Sequence, residues 1–406
     1  MPHQTNVRSN SAEHINPPLP DSIPTLGSLF TANGYEAVHF GKTHDMGSLR
    51  GFRHKEPVAK PFTDPEFPVN NDSFLDVGTC EDAVAYLSNP PQEPFICIAD
   101  FQNPHNICGY VGENKGEHID SPISTPLPLL PGNFEVEDWE KLPLPIQYIC
   151  CSHRRMMQAA HWNEDNYRHY VAAFQHYTRI VARQIESVLE ALYSTPAGKN
   201  TIVIVLADHG DGMGSHRMVT KQVSFYEEMT NVPFIIAGPG IHPRQKPVED
   251  LLTQPTIDLL PTLCELAGIP VPSSKPGISL APFLKGEKQK RQHPYAASEW
   301  HSEYEVTVSP GRMIRSPRYK YTHYLEGNGE ELYDMLKDKG ERRNLAHDPK
   351  YSKILAEHRA LLDDYIRRTQ DDYRSLKVEA DKRWRSHAPG YPNHEGPCAR
   401  DIINRK

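Results

Sequence analysis

The sequence predicts an α/β fold, with a mainly parallel sheet sandwiched by helices and a smaller C-terminal α+β subdomain. Short apolar runs alternate with helical patterns from residue 21 to residue 237, which is typical of a parallel sheet covered on both faces. After Gly286 the pattern changes to short segments typical of hairpins. The length of 406 residues allows a single large α/β domain with an appendage.

Four apolar runs are predicted to form strands, at residues 35–41, 94–100, 201–206 and 232–237. The run at 201–206 is the clearest candidate for a buried strand. Helical spacing of apolar residues predicts a long helix over 163–192, and a helix signal also covers 222–229. A further helix is predicted near 21–30, with Asp21 or Ser22 as its cap and Pro24 in its first turn.

The C-terminal third indicates a different unit. Residues 313–324 and 331–334 are predicted to form hairpin strands, and a charged helix is predicted over 351–366. We therefore expect three parts: a catalytic domain at 1–286, a subdomain with antiparallel strands and a helix at 287–370, and a polar tail at 371–406.

Composition excludes several classes of protein. The formal net charge of −8 gives no reason to expect a nucleic-acid partner. The 7 cysteines are odd in number and lack a repeated spacing, so no disulfide framework or zinc site is predicted. We find no apolar run of about 18 residues that would predict a membrane span, and no signal peptide pattern follows Met1.

Polar side chains follow three of the predicted strands. Asp208 and His209 come directly after the run at 201–206, Lys42 and His44 follow the first strand, and His105 follows the second. Each group alone is better explained as a helix cap or a polar loop. Because the carboxyl ends of parallel strands form the ligand crevice of such sheets, we expect the three groups to converge.

The residue types at these strand ends favour metal and oxyanion chemistry. A carboxylate and an imidazole, here Asp208 and His209, supply half of a divalent-cation site. Lys221 lies in the following segment, where a lysine can neutralise an oxyanion as a second point charge. The pattern predicts a site that binds a metal ion and an oxyanion.

Five segments of the chain, in this order and spacing, resemble the sulfatases of the alkaline phosphatase superfamily. They are Pro2-His-Gln-Thr-Asn-Val-Arg, Gly41-Lys-Thr-His, Asn103-Pro-His, Leu206-Ala-Asp-His-Gly-Asp-Gly-Met-Gly, and the late pair Glu331-Leu-Tyr-Asp and Glu341-Arg-Arg-Asn-Leu. The resemblance covers residues 1–345, which is most of the chain. It implies an alkaline phosphatase-like fold and the hydrolysis of sulfuric esters.

The resemblance also implies roles for single residues. Asp208 and His209 would bind a divalent metal, for which calcium is expected and manganese, magnesium or zinc stay open. The nucleophile of the family is a formylglycine, a residue made from Cys or Ser in a C/S-x-P-x-R motif. Lys42 and His44 would contact its hydrate, and His105 and Lys221 would bind the sulfate and assist the leaving oxygen.

The chain departs from the family pattern at its start. No C/S-x-P-x-R motif occurs in the 406 residues, so formylglycine is not present, and the strand that carries two further metal aspartates in the family is also missing. We therefore expect Met1 to be an internal residue of a longer product and the 406-residue chain by itself to be inactive.

Three functions are compatible with these residues. The first is hydrolysis of a sulfated carbohydrate or an aryl sulfate, with a small-molecule or oligosaccharide sulfate ester as the partner. The second is hydrolysis of phosphodiesters or phosphonate esters on the same scaffold, and the third is binding of anionic glycans without catalysis. The sequence identifies neither the exact ester nor the oligomeric state.

Overall fold

A computed structural model gives the fold of most of the chain. It describes residues 1–5, 7, 18–43, 46–60, 75–115, 126–135, 141–143, 145–147, 154–159, 161–222, 224–249, 251–272, 277–288, 293–301 and 310–376. No described helix combines the length and the apolar character that crossing a membrane requires.

The first sheet has three parallel strands in the order β2-β1-β3. They are β1 (Glu36–Gly41), β2 (Arg53–Lys55) and β3 (Phe95–Asp100). In the register of β1 and β3, Gly41 pairs with Asp100, so both strands end at the same level. The loops that follow them leave the sheet side by side, as expected for strands that share a ligand crevice.

The second sheet consists of β4 (Val203–Leu206) and β5 (Phe234–Ala237). These two strands pair with each other in antiparallel fashion, which a sheet predicted to be mainly parallel allows. The prediction that the strand at 201–206 is buried was wrong, because its first three residues are half-buried and Leu206 is 42% exposed. An apolar run indicates a strand, but it does not determine what covers that strand.

The longest of the described helices, α6 (Glu164–Tyr193), confirms the prediction for 163–192. Its first turn is fixed by a capping box, in which Asn163 and Asn166 each accept a backbone hydrogen bond from the other. One face of the helix packs into a cluster with Phe134, Trp162 and Ile107. The aromatic rings of this cluster meet mostly edge to face, an arrangement that adds to the stabilisation from burial.

The helix predicted near 21–30 begins later than expected. It spans Leu26–Ala32 and is labelled α2; Thr25, rather than Asp21 or Ser22, accepts the capping hydrogen bond from Ser28. The helix predicted at 222–229 is only a single turn in the structure, α7 (Glu227–Thr230). The remaining described helices are α1 (Pro2–Thr5), α3 (Leu75–Ser88), α4 (Ile107–Glu113), α5 (Arg154–Gln158), α8 (Pro255–Ala267), α9 (Ala281–Leu284) and α10 (Ser352–Thr369).

The C-terminal part contains a four-stranded antiparallel sheet in the order β6-β7-β8-β9. Helix α10 packs on this sheet around a core that includes Ile314, Leu332 and Leu362. This arrangement confirms the hairpins and the helix predicted from the sequence. The strands are β6 (Ala296–Trp300), β7 (Gly311–Arg315), β8 (Tyr319–Tyr324) and β9 (Gly329–Asp334).

Candidate active site

The loop after β1 begins with a close approach of two strands. Gly41 has a φ of +117°, and a Cβ atom at this position would lie 2.1 Å from the carbonyl oxygen of Asp100. Only glycine fits such an approach without moving the neighbouring backbone. The next residue, Lys42, donates its backbone N–H to the same carbonyl at 3.3 Å. Lys42 therefore leaves the sheet directly beside the end of β3.

The loop after β3 is fixed by a buried carboxylate. Asp76 in α3 is 1% exposed and accepts the backbone N–H groups of Gln102 at 2.6 Å and Asn103 at 2.8 Å. Burial raises the pKa of Asp76, and these hydrogen bonds oppose that rise. His105 lies two residues further on, so Asp76 helps to determine where its imidazole is placed. No local sequence pattern indicates this role of Asp76, because the contact spans 26 residues.

Asp208 and His209 lie two and three residues beyond the end of β4. Their side chains are 84% and 45% exposed, and His209 Nε2 lies 3.4 Å from Asp208 Oδ2. His209 Nδ1 lies 2.8 Å from the carbonyl oxygen of Gly210. Because a carbonyl oxygen only accepts hydrogen bonds, this contact places a proton on Nδ1. That hydrogen bond leaves Nε2 as a lone-pair donor on the side of the carboxylate.

These two donors fit a divalent cation. A carboxylate oxygen and an imidazole nitrogen about 3.4 Å apart can bind the same ion as neighbouring ligands. Among the residues that the structure describes, no three or more His, Cys, Asp or Glu side chains are grouped so that they could hold a metal ion. Asp208 and His209 therefore supply two positions of a coordination shell and not a complete one.

The charges at the three strand ends act on one imidazole. Burial and the positive charges of Lys221 and Lys42, with a smaller effect from His209, together lower the pKa of His105 to about 4, against the opposing effect of Asp208. The structure thus brings five of the six predicted residues into one electrostatic neighbourhood. His105 is neutral at neutral pH and can donate a hydrogen bond from its ring.

Lys221 completes the group of cations. Burial lowers the pKa of its ammonium group, and Lys42 contributes to this shift, whereas Asp208 and Asp211 oppose it. Two lysines that affect each other at a half-buried site create a strongly positive potential. Such a site is electrostatically suited to an anion.

The sixth predicted residue, His44, lies outside the described residues. The structure describes the backbone up to Thr43 and resumes at Met46. The proposed contact between His44 and the formylglycine hydrate therefore stays a prediction.

Comparison with known proteins identifies the family. The profile of the sulfatase family matches residues 1–269, and that of the C-terminal region of N-sulphoglucosamine sulphohydrolase matches residues 214–368. A Delta 4,5-hexuronate-2-O-sulfatase of Bacteroides thetaiotaomicron is 78% identical over 406 residues, which are 100% of this chain and 84% of the relative.

Solved structures agree with this assignment. The structure of a 2-O GAG sulfatase superposes with a TM-score of 0.93 at 78% identity, covering 99% of this chain and 86% of that one. A phosphonate monoester hydrolase of Agrobacterium radiobacter has a TM-score of 0.70 at 18% identity, covering 92% and 85%, and this likeness shows the fold alone. The chain therefore belongs to the sulfatase family, a group of sulfuric ester hydrolases with the alkaline phosphatase-like fold.

Proposed function

We propose that the protein removes the 2-O-sulfate group of a 4,5-unsaturated hexuronate at the end of a sulfated glycan. The chemistry is supported by the electrostatic effect of Lys42 and Lys221 on His105, whose pKa they lower, and of Lys42 on Lys221. The substrate is suggested by the 78% identity, over the whole chain, to a sulfatase of that specificity.

The cations have a defined task in this reaction. The oxygens of a sulfuryl group gain negative charge as it is transferred, and fixed positive charges stabilise that state more than the ground state. Lys42 would bind these oxygens from the end of β1, and Lys221 would bind them from the loop that follows β4. Because they are held by the sheet edge and its loops, little reorganisation accompanies the transfer.

His105 would act on the leaving oxygen of the sugar. With a pKa of about 4 it is a neutral imidazole under ordinary conditions, so its ring N–H donates a hydrogen bond to the oxygen that becomes an alkoxide. A protonated histidine at this position would add a third buried cation next to two lysines. The neutral form avoids that repulsion and keeps the donor.

Asp208 and His209 would bind a divalent metal ion, with calcium expected and manganese, magnesium or zinc as alternatives. When bound, such an ion polarises a sulfate oxygen as a Lewis acid. The exposed carboxylate and the Nε2 lone pair are the groups that this chain offers to it.

The test is a panel of esters incubated with the enzyme expressed from the complete reading frame, including any codons upstream of Met1. The panel contains a disaccharide of an unsaturated 2-O-sulfated hexuronate and a glucosamine, the same disaccharide sulfated only at O6 of its glucosamine, an aryl sulfate and an aryl phosphate. Released sulfate or phosphate is measured with and without a chelator, followed by readdition of each candidate metal.

We expect sulfate release from the 2-O-sulfated disaccharide at a rate well above the rates for the other three esters. Faster hydrolysis of the aryl phosphate would replace this proposal by a phosphoester hydrolase. Binding of the disaccharide without any turnover would indicate a non-catalytic glycan-binding protein. The same assay on the 406-residue chain alone tests the expectation that this chain is inactive.

A further inference from the structure

The loop between His209 and Lys221 has an unusual backbone. Met213, His216, Arg217 and Thr220 all have positive φ values, between 48° and 57°. Such values are uncommon for residues other than glycine, and they are least favourable for a β-branched residue such as Thr220. Backbone of this kind persists only where the surrounding structure holds it in place. The contacts that hold Thr220 therefore also determine where Lys221 lies.

One hydroxyl group binds both ends of this loop. The Tyr170 oxygen accepts the backbone N–H of Thr220 at 2.6 Å, and the Tyr170 hydroxyl donates to Asp211 Oδ1. The same carboxylate oxygen accepts the backbone N–H of Met213 at 3.0 Å. Gly212 closes the loop independently, since its N–H donates to the carbonyl of Thr220 at 3.0 Å.

The hydroxyl itself has little freedom. Tyr170 and Thr220 are 0% exposed and Asp211 is 8% exposed, so water cannot replace these hydrogen bonds. Tyr170 lies in the 30-residue helix α6, and its ring packs against Trp162 with centroids 5.8 Å apart. Burial raises the pKa of Tyr170 well above its ordinary value, and the carboxylate of Asp211 raises it further, so the hydroxyl remains a donor.

We propose that Tyr170 is a positioning residue for Lys221: its buried hydroxyl joins Asp211 to the backbone of Thr220 and thereby holds the lysine at the anion site. The proposal rests on the proposed function, because it needs Lys221 to act on the sulfate group. Tyr170 does not itself touch the substrate. It holds the backbone of Thr220, and thereby determines where the next residue, Lys221, lies.

Helix α6 offers a matched control. Tyr167 lies one turn before Tyr170, is also 0% exposed, and donates its hydroxyl to the carbonyl of Arg217 in the same loop at 3.0 Å. Tyr167→Phe therefore removes a buried tyrosine hydroxyl from the same helix and loop. The hydrogen-bond partner of Tyr167 is Arg217, four residues before Lys221, whereas the partner of Tyr170 is Thr220, directly before Lys221.

The experiment is a double-mutant cycle in the enzyme from the complete reading frame, assayed on the 2-O-sulfated disaccharide. We expect Tyr170→Phe to lower kcat by roughly 10- to 100-fold with KM changed less than about threefold, because a displacement near 1 Å costs rates of this order. In a Lys221→Ala background the same substitution should change kcat by less than about twofold. Tyr167→Phe should retain kcat within about threefold.

The outcomes separate the two proposals. If Lys221→Ala leaves kcat unchanged, the proposed function of Lys221 fails, and the positioning role fails with it. If Lys221→Ala lowers kcat but Tyr170→Phe has the same effect in both backgrounds, only the positioning role is overturned.

A second pair of variants covers the case that Tyr170→Phe does not fold. Asp211→Asn keeps an oxygen that can accept from Tyr170, whereas Asp211→Leu has a similar volume and no acceptor. We expect Asp211→Leu to lower kcat by at least about tenfold relative to Asp211→Asn, because only the leucine frees the Tyr170 hydroxyl. Equal kcat values for the two variants would refute the role of the hydroxyl.

Discussion

The substitution Lys320→Met tests the connection between the C-terminal sheet and the loop that follows the active site. Lys320 lies in β8, is 1% exposed, and has its ammonium group 2.8 Å from carboxylate oxygens of both Glu227 and Glu341. It also donates to the carbonyl of Phe225 at 2.8 Å. Methionine keeps most of the aliphatic stem but removes the cation, so Glu341 loses the counter-charge of Lys320 and Glu227 keeps only Arg315, whose Nε lies 3.7 Å from Glu227 Oε1.

The magnitude follows from the burial of these groups. The side chain of Glu341 is only 1% exposed, and removal of one partner of a buried ion pair costs about 3–5 kcal/mol. That is a large part of the total stability of a typical domain, about 5–15 kcal/mol. Burial already raises the pKa of Glu341 to about 7, against the opposing effect of Lys320. Without the lysine the carboxyl groups take up protons more readily, so the loss should be larger at pH 8 than at pH 6.

The assay is urea unfolding followed by tryptophan fluorescence at both pH values. Lys55→Met serves as the control, because Lys55 and Asp82 form a pair whose side chains are 57% and 20% exposed. An exposed pair of this kind contributes less than about 1 kcal/mol. A Lys320→Met protein within about 1 kcal/mol of the wild type at pH 8, or with the same loss at both pH values, would refute the reasoning.

Two further substitutions test other contacts. Burial alone would raise the pKa of Glu299, but hydrogen bonds from His3 and Tyr365 lower it to about 2. The charged carboxylate therefore adds about 3 kcal/mol to the free energy of unfolding above pH 4.5, and this stabilisation is lost as the pH falls towards 2. Glu299→Gln should therefore make acid unfolding less steep in a pH titration, and an unchanged profile would contradict this. Gly210→Ala places a Cβ 1.7 Å from the carbonyl oxygen of Glu228, so the free energy of unfolding should fall by about 1–3 kcal/mol or more in thermal unfolding. An unchanged melting temperature would show that Gly210 and Glu228 are not in contact.

Local sequence signals predicted most elements but not their partners. The alternation of apolar runs and helical spacing located β1, β3 and α6 within one or two residues, because these patterns depend on period alone. The antiparallel pairing of β4 and β5 depends on long-range contacts that no local pattern encodes. The same holds for the cap of α2, where Thr25 also donates to the carbonyl of Arg50 at 2.6 Å. The division of the chain at residue 286 stays a prediction.

The candidate site was predictable where it depends on strand ends. Lys42, Asp208 and His105 lie within one, two and five residues of the ends of β1, β4 and β3, so topology alone predicts that they approach each other. Asp76 and Tyr170 could not be found in this way. Each lies at ordinary helical spacing among core residues, and its partners are 26 or more residues away. A buried positioning residue has no local signature that distinguishes it from a core residue.

The rate of sulfate release by Lys221→Ala most directly tests the claim that the strand ends form one site for a sulfuryl group. Its kcat/KM on the 2-O-sulfated disaccharide should fall by about 10²- to 10³-fold, as expected when a preorganised charge-stabilising group is removed. The exposed Lys353, on the surface of α10, provides the control, and Lys353→Ala should retain kcat/KM within about twofold. A folded Lys221→Ala enzyme with the kcat/KM of the wild type would contradict the account.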